Sequence, residues 1–126
     1  MTHTSHVVDQ LPAPGGAYSH VTQTSQLTFT AGFGPHDPET GAFPEGIEAQ
    51  TEATLANVER ALGAVGLDLS HILKSTVHLA HLERDFAGFD AVYRRLVPQP
   101  YPVRTTVGSQ LLGILVEIDV VAEGAR

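Results

Sequence analysis

Cysteine is absent from this chain of 126 residues. Disulfides, thiolate nucleophiles and cysteine-ligated zinc are therefore excluded, and a reducing, cytoplasmic setting is expected. Positive charge is also scarce. Seven Lys and Arg stand against fourteen Asp and Glu, a formal charge of -7. Broad binding to a phosphate backbone needs clustered cations. The single basic pair, Arg94-Arg95, falls in a helical pattern, so nucleic acid is not an expected partner. No apolar run approaches the ~20 residues of a membrane span, and no membrane association is expected. Met1 to His6 carries no basic stretch followed by an apolar core, so no secretory leader is expected. Repeats, low-complexity segments and linkers are missing too. Apolar content of 42% suits a soluble globule, and one domain over residues 1–126 is expected.

Periodicity supplies the elements. Leu11 to Tyr18 is rich in Pro and Gly and reads as an ordered loop. Ser19–Thr24 and Gln26–Gly32 read as strands joined near Ser25. In the second, Leu27, Phe29 and Ala31 form an apolar face, with Thr28 and Thr30 opposite. Turn signals mark 33–46 as loop. Ile47, Thr51, Leu55, Val58, Leu62 and Val65 make one helical stripe that stops at Gly66. Asp68 and Ser70 begin the next element. Ile72–Ala80 is a strand with Leu73, Ser75, Val77 and Leu79 on one side. Arg84–Val97 is a helix whose buried stripe is Phe86, Phe89, Val92, Tyr93 and Leu96; Pro98 ends it. Glu123–Arg126 is expected to fray. Two amphipathic helices cover only one face of such a sheet, and the other, rich in Thr, Ser and Gly, calls for self-association.

The last two strands carry the chemistry. Val103, Thr105 and Val107 alternate with Arg104 and Thr106; Val116, Ile118 and Val120 alternate with Glu117 and Asp119. The short 108–113 connection suggests a hairpin that sets Arg104 and Glu117 on one sheet, with a shared face as an open alternative. Two readings stay open. One is a cross-strand ion pair of little consequence. The other is a guanidinium fork for a substrate carboxylate beside a glutamate that moves protons. Elsewhere, His78 and His81 are spaced as His-x-x-His, but at a strand end and without a companion carboxylate, so no metal site is expected. Tyr18 reads first as a partly buried ring with a bonded hydroxyl and only second as a cleft residue. His20 and His36 flank the same loops. Ser19 and Ser109 lack an evident base.

Taken in order, these pieces resemble the RidA (YjgF-type) family of reactive enamine/imine deaminases along nearly the whole chain. The matching stretches are Ala13-Pro14-Gly15-Gly16-Ala17-Tyr18-Ser19, Thr30-Ala31-Gly32, Asp37-Pro38-Glu39-Thr40-Gly41, Gln50 to Asn57, Ile72 to Val77, Asp85-Phe86 and Val92-Tyr93. Pro102 to Val107 and Val116-Glu117-Ile118 carry it most strongly. The resemblance implies an α+β, chorismate-mutase-like subunit with two helices on one face of a mixed sheet. It implies a homotrimer with a central barrel and clefts between subunits. It also implies hydrolysis of small 2-imino or 2-enamino acids to 2-keto acids and ammonia, without metal or redox cofactor. In that picture Arg104 holds the substrate carboxylate and Glu117 handles water and protons. Tyr18 lines the cleft and backbone near Gly32 positions the substrate.

The chain departs from the family pattern where the cleft wall is expected. Gly16-Ala17-Tyr18 replaces Gly-Pro-Tyr, and Ala31-Gly32-Phe33 replaces Ser-Gly-Gln, losing a hydroxyl and an amide. Asp90 stands where asparagine is common, Thr106 where cysteine is, and Leu111-Leu112 where Leu-Pro is. These positions bear on which imino acid the site accepts.

Overall fold

A computed structural model describes residues 2–124. Its strands are β1 (Thr4–His6), β2 (Val21–Gln23), β3 (Leu27–Thr30), β4 (Ile72–Leu79), β5 (Val103–Gly108) and β6 (Val116–Glu123), and its helices are α1 (Ile47–Gly63) and α2 (Leu82–Leu96). The strands form one mixed sheet in the order β1-β2-β3-β6-β4-β5. Only β4 and β5, linked through α2, are parallel. Among the described residues no helix is long and apolar enough to cross a membrane.

One face of the sheet meets both helices. Val116, Ile118, Val120 and Ala122 of β6 and Ser75, Val77 and Leu79 of β4 are buried there with Leu55, Val58, Ala61 and Leu62 of α1 and Phe89 and Tyr93 of α2. Complete burial of each such Leu, Val or Phe side chain contributes about 1.5–3 kcal/mol. The α1 stripe is wider than its apolar residues suggest, since Gln50, Thr54 and Asn57 are buried too. Asn57 Nδ2 donates to the carbonyls of Gly34 and His36 at 3.0 and 2.9 Å. Gln50 Nε2 donates to Pro44 O, and Gln50 Oε1 accepts from Leu115 N at 2.8 Å. Buried amides thus pin the long 33–46 loop and the entry to β6 onto the helix, where water cannot compete for the same bonds.

The hairpin expected of the last two strands does not form. β4 lies between β5 and β6, and the 109–115 connection steps over its end. A short linker between two extended runs fits either arrangement. The β4-α2-β5 unit decides it, because a strand returning from a helical crossover lies parallel beside the strand it left.

Three facing assignments are also corrected. In β3, Thr28 is fully buried and Phe29 is exposed, the reverse of the apolar-in reading. Thr28 Oγ1 accepts from Gln23 Nε2 and donates to Gly124 O, so its hydroxyl is satisfied inside. In β4 a register shift between Ile72 and Lys74 turns Leu73 outward, while Ile72 and Ser75 stay inside. In α2 Phe86 is 40% exposed, and Asp85 is buried instead. The uncovered face is therefore a mixture of Phe29, Val103 and Val107 with Thr, His and carboxylate side chains, rather than a purely hydroxylic surface. β1 was not expected. The predicted fraying of 123–126 holds neither for Glu123, which closes β6, nor for Gly124, which donates to Gln26 O; the last two residues lie outside the described ones.

Candidate functional site

Two clefts flank the sheet. Pairing sets which side chains enter each. Ser75 of β4 is opposite Arg104, and His78 is opposite Glu117, with an unbroken register between them. Residues 75 and 78 of one strand point to opposite faces. Arg104 therefore lies on the helix-covered face and Glu117 on the uncovered one, so the shared face considered from sequence is ruled out within one chain.

The smaller cleft, about 310 Å³, is lined by Asp90, Tyr93, Arg94, Tyr101, Pro102 and Arg104. The Arg104 guanidinium carbon sits 4.7, 5.2 and 5.7 Å from the ring centroids of Tyr93, Phe89 and Phe86. This aromatic floor holds a delocalised cation by stacking and by attraction to the ring faces. Tyr93 is fixed in turn through its hydroxyl, which donates to Ser75 Oγ at 3.0 Å; burial pushes that hydroxyl's pKa up. Asp90 Oδ1 accepts from Arg104 Nη1 at 2.8 Å and Asp90 Oδ2 from Arg94 Nη2 at 3.0 Å. Burial pushes the Asp90 carboxyl up, but the bonds from Arg104 and Arg94 outweigh it and hold it below the ordinary 3.8. Its stabilising contribution is complete above that unfolded value and is lost as the pH falls through the depressed folded one.

Asp90 thus places a negative charge where any incoming carboxylate would approach Arg104. Asp90→Asn is expected to tighten binding of a small monocarboxylate about tenfold, because removing a like charge a few ångströms away is worth roughly 1.4 kcal/mol after screening. Isothermal titration with 2-oxobutanoate measures it. Weaker binding would mean that Asp90 orients Arg104 more than it opposes the ligand.

The larger cleft, about 880 Å³, lies on the other side and is lined by Tyr18, Gly32, His78, Ser109 and Glu117 among others. Glu117 leans over Gly32: a Cβ built there would sit 2.5 Å from Glu117 Oε2, so the side chain fits only because residue 32 has none. Tyr18 is half exposed, and its hydroxyl accepts from Gly15 N at 3.0 Å. Phe33 brings its backbone to the cleft through a two-way bridge to Ile118, while its ring is buried against His20. His20 is itself buried, accepting from Val8 N at Nδ1 and bonding Pro12 O at 2.8 Å, which sets the 12–18 loop.

The predicted site residues therefore divide. Glu117, Tyr18, Gly32 and Phe33 meet at the large cleft. Asp90 and Arg104 meet at the small one, with Thr106 on the same face two residues on. Ala31 donates from its N–H to His20 O and lines neither cleft. Sequence reasoning missed the aromatic floor under Arg104, although Phe86, Phe89 and Tyr93 share one side of the second helix. It also left Ser109 without a base. His78 Nδ1 is 2.7 Å from Ser109 Oγ, a pairing across 31 residues that no local spacing announces. His81 precedes α2 as its N-cap, and among the described residues no three His, Cys, Asp or Glu side chains are grouped to hold a metal.

The family model described as Endoribonuclease L-PSP matches residues 8–124. The chain is 37% identical over 117 residues to Reactive Intermediate Deaminase A, chloroplastic, of Arabidopsis thaliana, covering 90% of this chain and 62% of that protein. It thus spans about three fifths of that relative's length. It is 32% identical over 121 residues to the 2-iminobutanoate/2-iminopropanoate deaminase of Salmonella typhimurium, covering 94% of each. The crystal structure of RidA from an Antarctic Psychrobacter species superposes with a TM-score of 0.90 at 30% identity, over 96% of this chain and 99% of that one.

Proposed function

The chain belongs to the endoribonuclease L-PSP family, in its RidA/YjgF branch, and from that membership we propose that it hydrolyses small 2-imino or 2-enamino acids to 2-keto acids and ammonia. The observation that carries this reading is the division of the site. Arg104 on its aromatic floor, a group suited to a carboxylate, and Glu117 over Gly32, a group suited to proton transfer, stand on opposite faces of one sheet. β5, which bears Arg104, is an edge strand with Val103 and Val107 exposed. A closed ring of three subunits would bury those valines and bring Arg104 of one protomer against Glu117 and Tyr18 of the next.

The chemistry suits these groups. A guanidinium still has donors free for a bidentate carboxylate pair after bonding Asp90 once. Fixing a small substrate by its carboxylate brings the imine carbon to a water held by Glu117, so positioning supplies much of the acceleration. No metal is required to polarise a protonated C=N bond. A cytoplasmic location belongs to the same reading, since reactive imines arise where amino acids are metabolised. The test supplies 2-imino acids in situ from an amino-acid oxidase and measures keto acid and ammonia release. Wild type is expected to accelerate release and Arg104→Ala to lose at least about a hundredfold while its oligomeric state is unchanged. Tight carboxylate binding without acceleration would instead identify a non-catalytic small-carboxylate sensor or interaction trimer. Ribonuclease action, suggested by the family's description, has little electrostatic support in a chain of charge -7.

A further inference from the structure

The large cleft contains a pair of side chains that the reading above leaves without a role. His78 Nδ1 and Ser109 Oγ are 2.7 Å apart, and both line the cleft beside Glu117. The arrangement is built by the backbone. Antiparallel register sets His78 directly opposite Glu117, which brings their Cβ atoms to about 4.5–5.5 Å on the uncovered face. Ser109 follows β5, and its N–H donates to Leu79 O at 3.0 Å, which fixes the hydroxyl at the end of β4 beside the imidazole. His78 is half-buried, so this bond is sheltered. With Nδ1 engaged by Ser109, Nε2 is the nitrogen left to exchange a proton.

Imine hydrolysis needs proton transfers in both directions. Water loses a proton as it adds to carbon, and nitrogen must gain one before it can leave. A lone carboxylate has to perform these in succession. An imidazole beside it, which gains and loses protons near neutral pH, allows the two roles to be divided.

We propose that His78, oriented by Ser109, is the acid that protonates the departing nitrogen in the Glu117 cleft. The proposal rests on the deaminase reading. The water oxygen bonds to C2 of the iminium, its proton passes to the Glu117 carboxylate, and the C=N π pair moves onto nitrogen. Imidazolium His78 then gives its Nε2 proton to the amino group. The C–N bond breaks with its electron pair on nitrogen, and the hydroxyl proton returns to His78 as the carbonyl forms. Ammonia takes the proton held by Glu117 and leaves as ammonium, which restores both groups. The charged and titratable groups around His78 are Glu117 and Asp119 from β6, Lys74 along its own strand, and Tyr18, His20, His36 and Asp37 around the cleft; β5 presents only Thr105 and Val107 there.

The test is the pH dependence of kcat/KM between about pH 5 and 9 for wild type, His78→Gln and Ser109→Ala, with oxidase in excess so that imine supply does not limit. Wild type is expected to lose activity as the imidazole deprotonates. His78→Gln is expected to be about a hundredfold slower and to lack that limb, and Ser109→Ala to keep the limb at a shifted position. A His78→Gln protein with the wild-type rate overturns the proposal alone. So does a slow His78→Gln protein that keeps the limb, because the residue would then be structural. Should His78→Gln fail to fold, a Ser109→Ala profile identical to wild type in limb and rate overturns it. A wild type without acceleration defeats the deaminase reading and this proposal together, so the two failures are distinguishable.

Discussion

Mixing Arg104→Ala and Glu117→Gln chains in equal amounts, each inactive alone, is expected to restore about a quarter of wild-type deaminase activity once the subunits have exchanged by unfolding and refolding together. The fraction follows from the geometry. Arg104 is held under α2 on the covered face and Glu117 stands on the uncovered face, so one chain cannot present both to one small molecule. In a ring of three, each cleft would draw its arginine from one subunit and its glutamate from the next. Random assembly leaves both groups intact in about one cleft in four. On the proposed mechanism, loss of the guanidinium would remove a bidentate carboxylate pair and with it the orientation of the substrate, about 10²–10³-fold in rate. The glutamine variant keeps the shape and removes the base. Recovery is read as keto acid release against the unmixed variants, with mixed oligomers verified by mass spectrometry. Oligomers that mix and stay inactive would mean that the two groups do not meet across a boundary between subunits.

What the sequence made legible depends on whether a residue's environment is decided locally. The α1 stripe was readable because a single helix face meets the core, and Thr51, Leu55, Val58 and Leu62 are all buried as their spacing requires. The alternation in β6 was readable for the same reason, with every second residue from Val116 to Ala122 inside. The faces of β3 were not. Thr28 goes inside because two partners distant in the chain or across the sheet, Gln23 and the carbonyl of Gly124, satisfy its hydroxyl there. Phe29 goes outside, onto the surface that self-association is proposed to cover. Leu73 failed through a bulge, where one extra residue reverses the face of all that precede it.

The candidate site followed the same division. Arg104 and Glu117 could be picked out as residue types, and the family resemblance gave them roles. Their placement depends on β4 entering between the two strands, which is a matter of topology that periodicity does not carry. The His78–Ser109 bond is likewise a product of that insertion, since β4 brings His78 beside the end of β5 and opposite Glu117 at once.

Gly32→Ala is expected to lower kcat about a hundredfold while moving Tm by no more than a few degrees. The new Cβ would lie 2.5 Å from Glu117 Oε2 and 2.9 Å from its Cδ, closer than real Cβ atoms come. The obstacle is the end of a flexible side chain rather than backbone, and residue 32 has no positive φ that would strain an alanine. The chain therefore yields by turning Glu117 to another rotamer, at a cost of about 1 kcal/mol or less. That corresponds to roughly 3–5 °C in a domain of this size. On the proposed mechanism the displaced carboxylate would no longer reach the water over the imine carbon, and an ångström of misplacement costs about 10² in rate. Arg104 is untouched on the other face, so binding of 2-oxobutanoate should stay within about twofold of wild type. Rate and affinity thereby separate in one variant. An unchanged rate with a folded protein would mean that the Glu117 carboxylate, in the position Gly32 allows it, is not where water is activated.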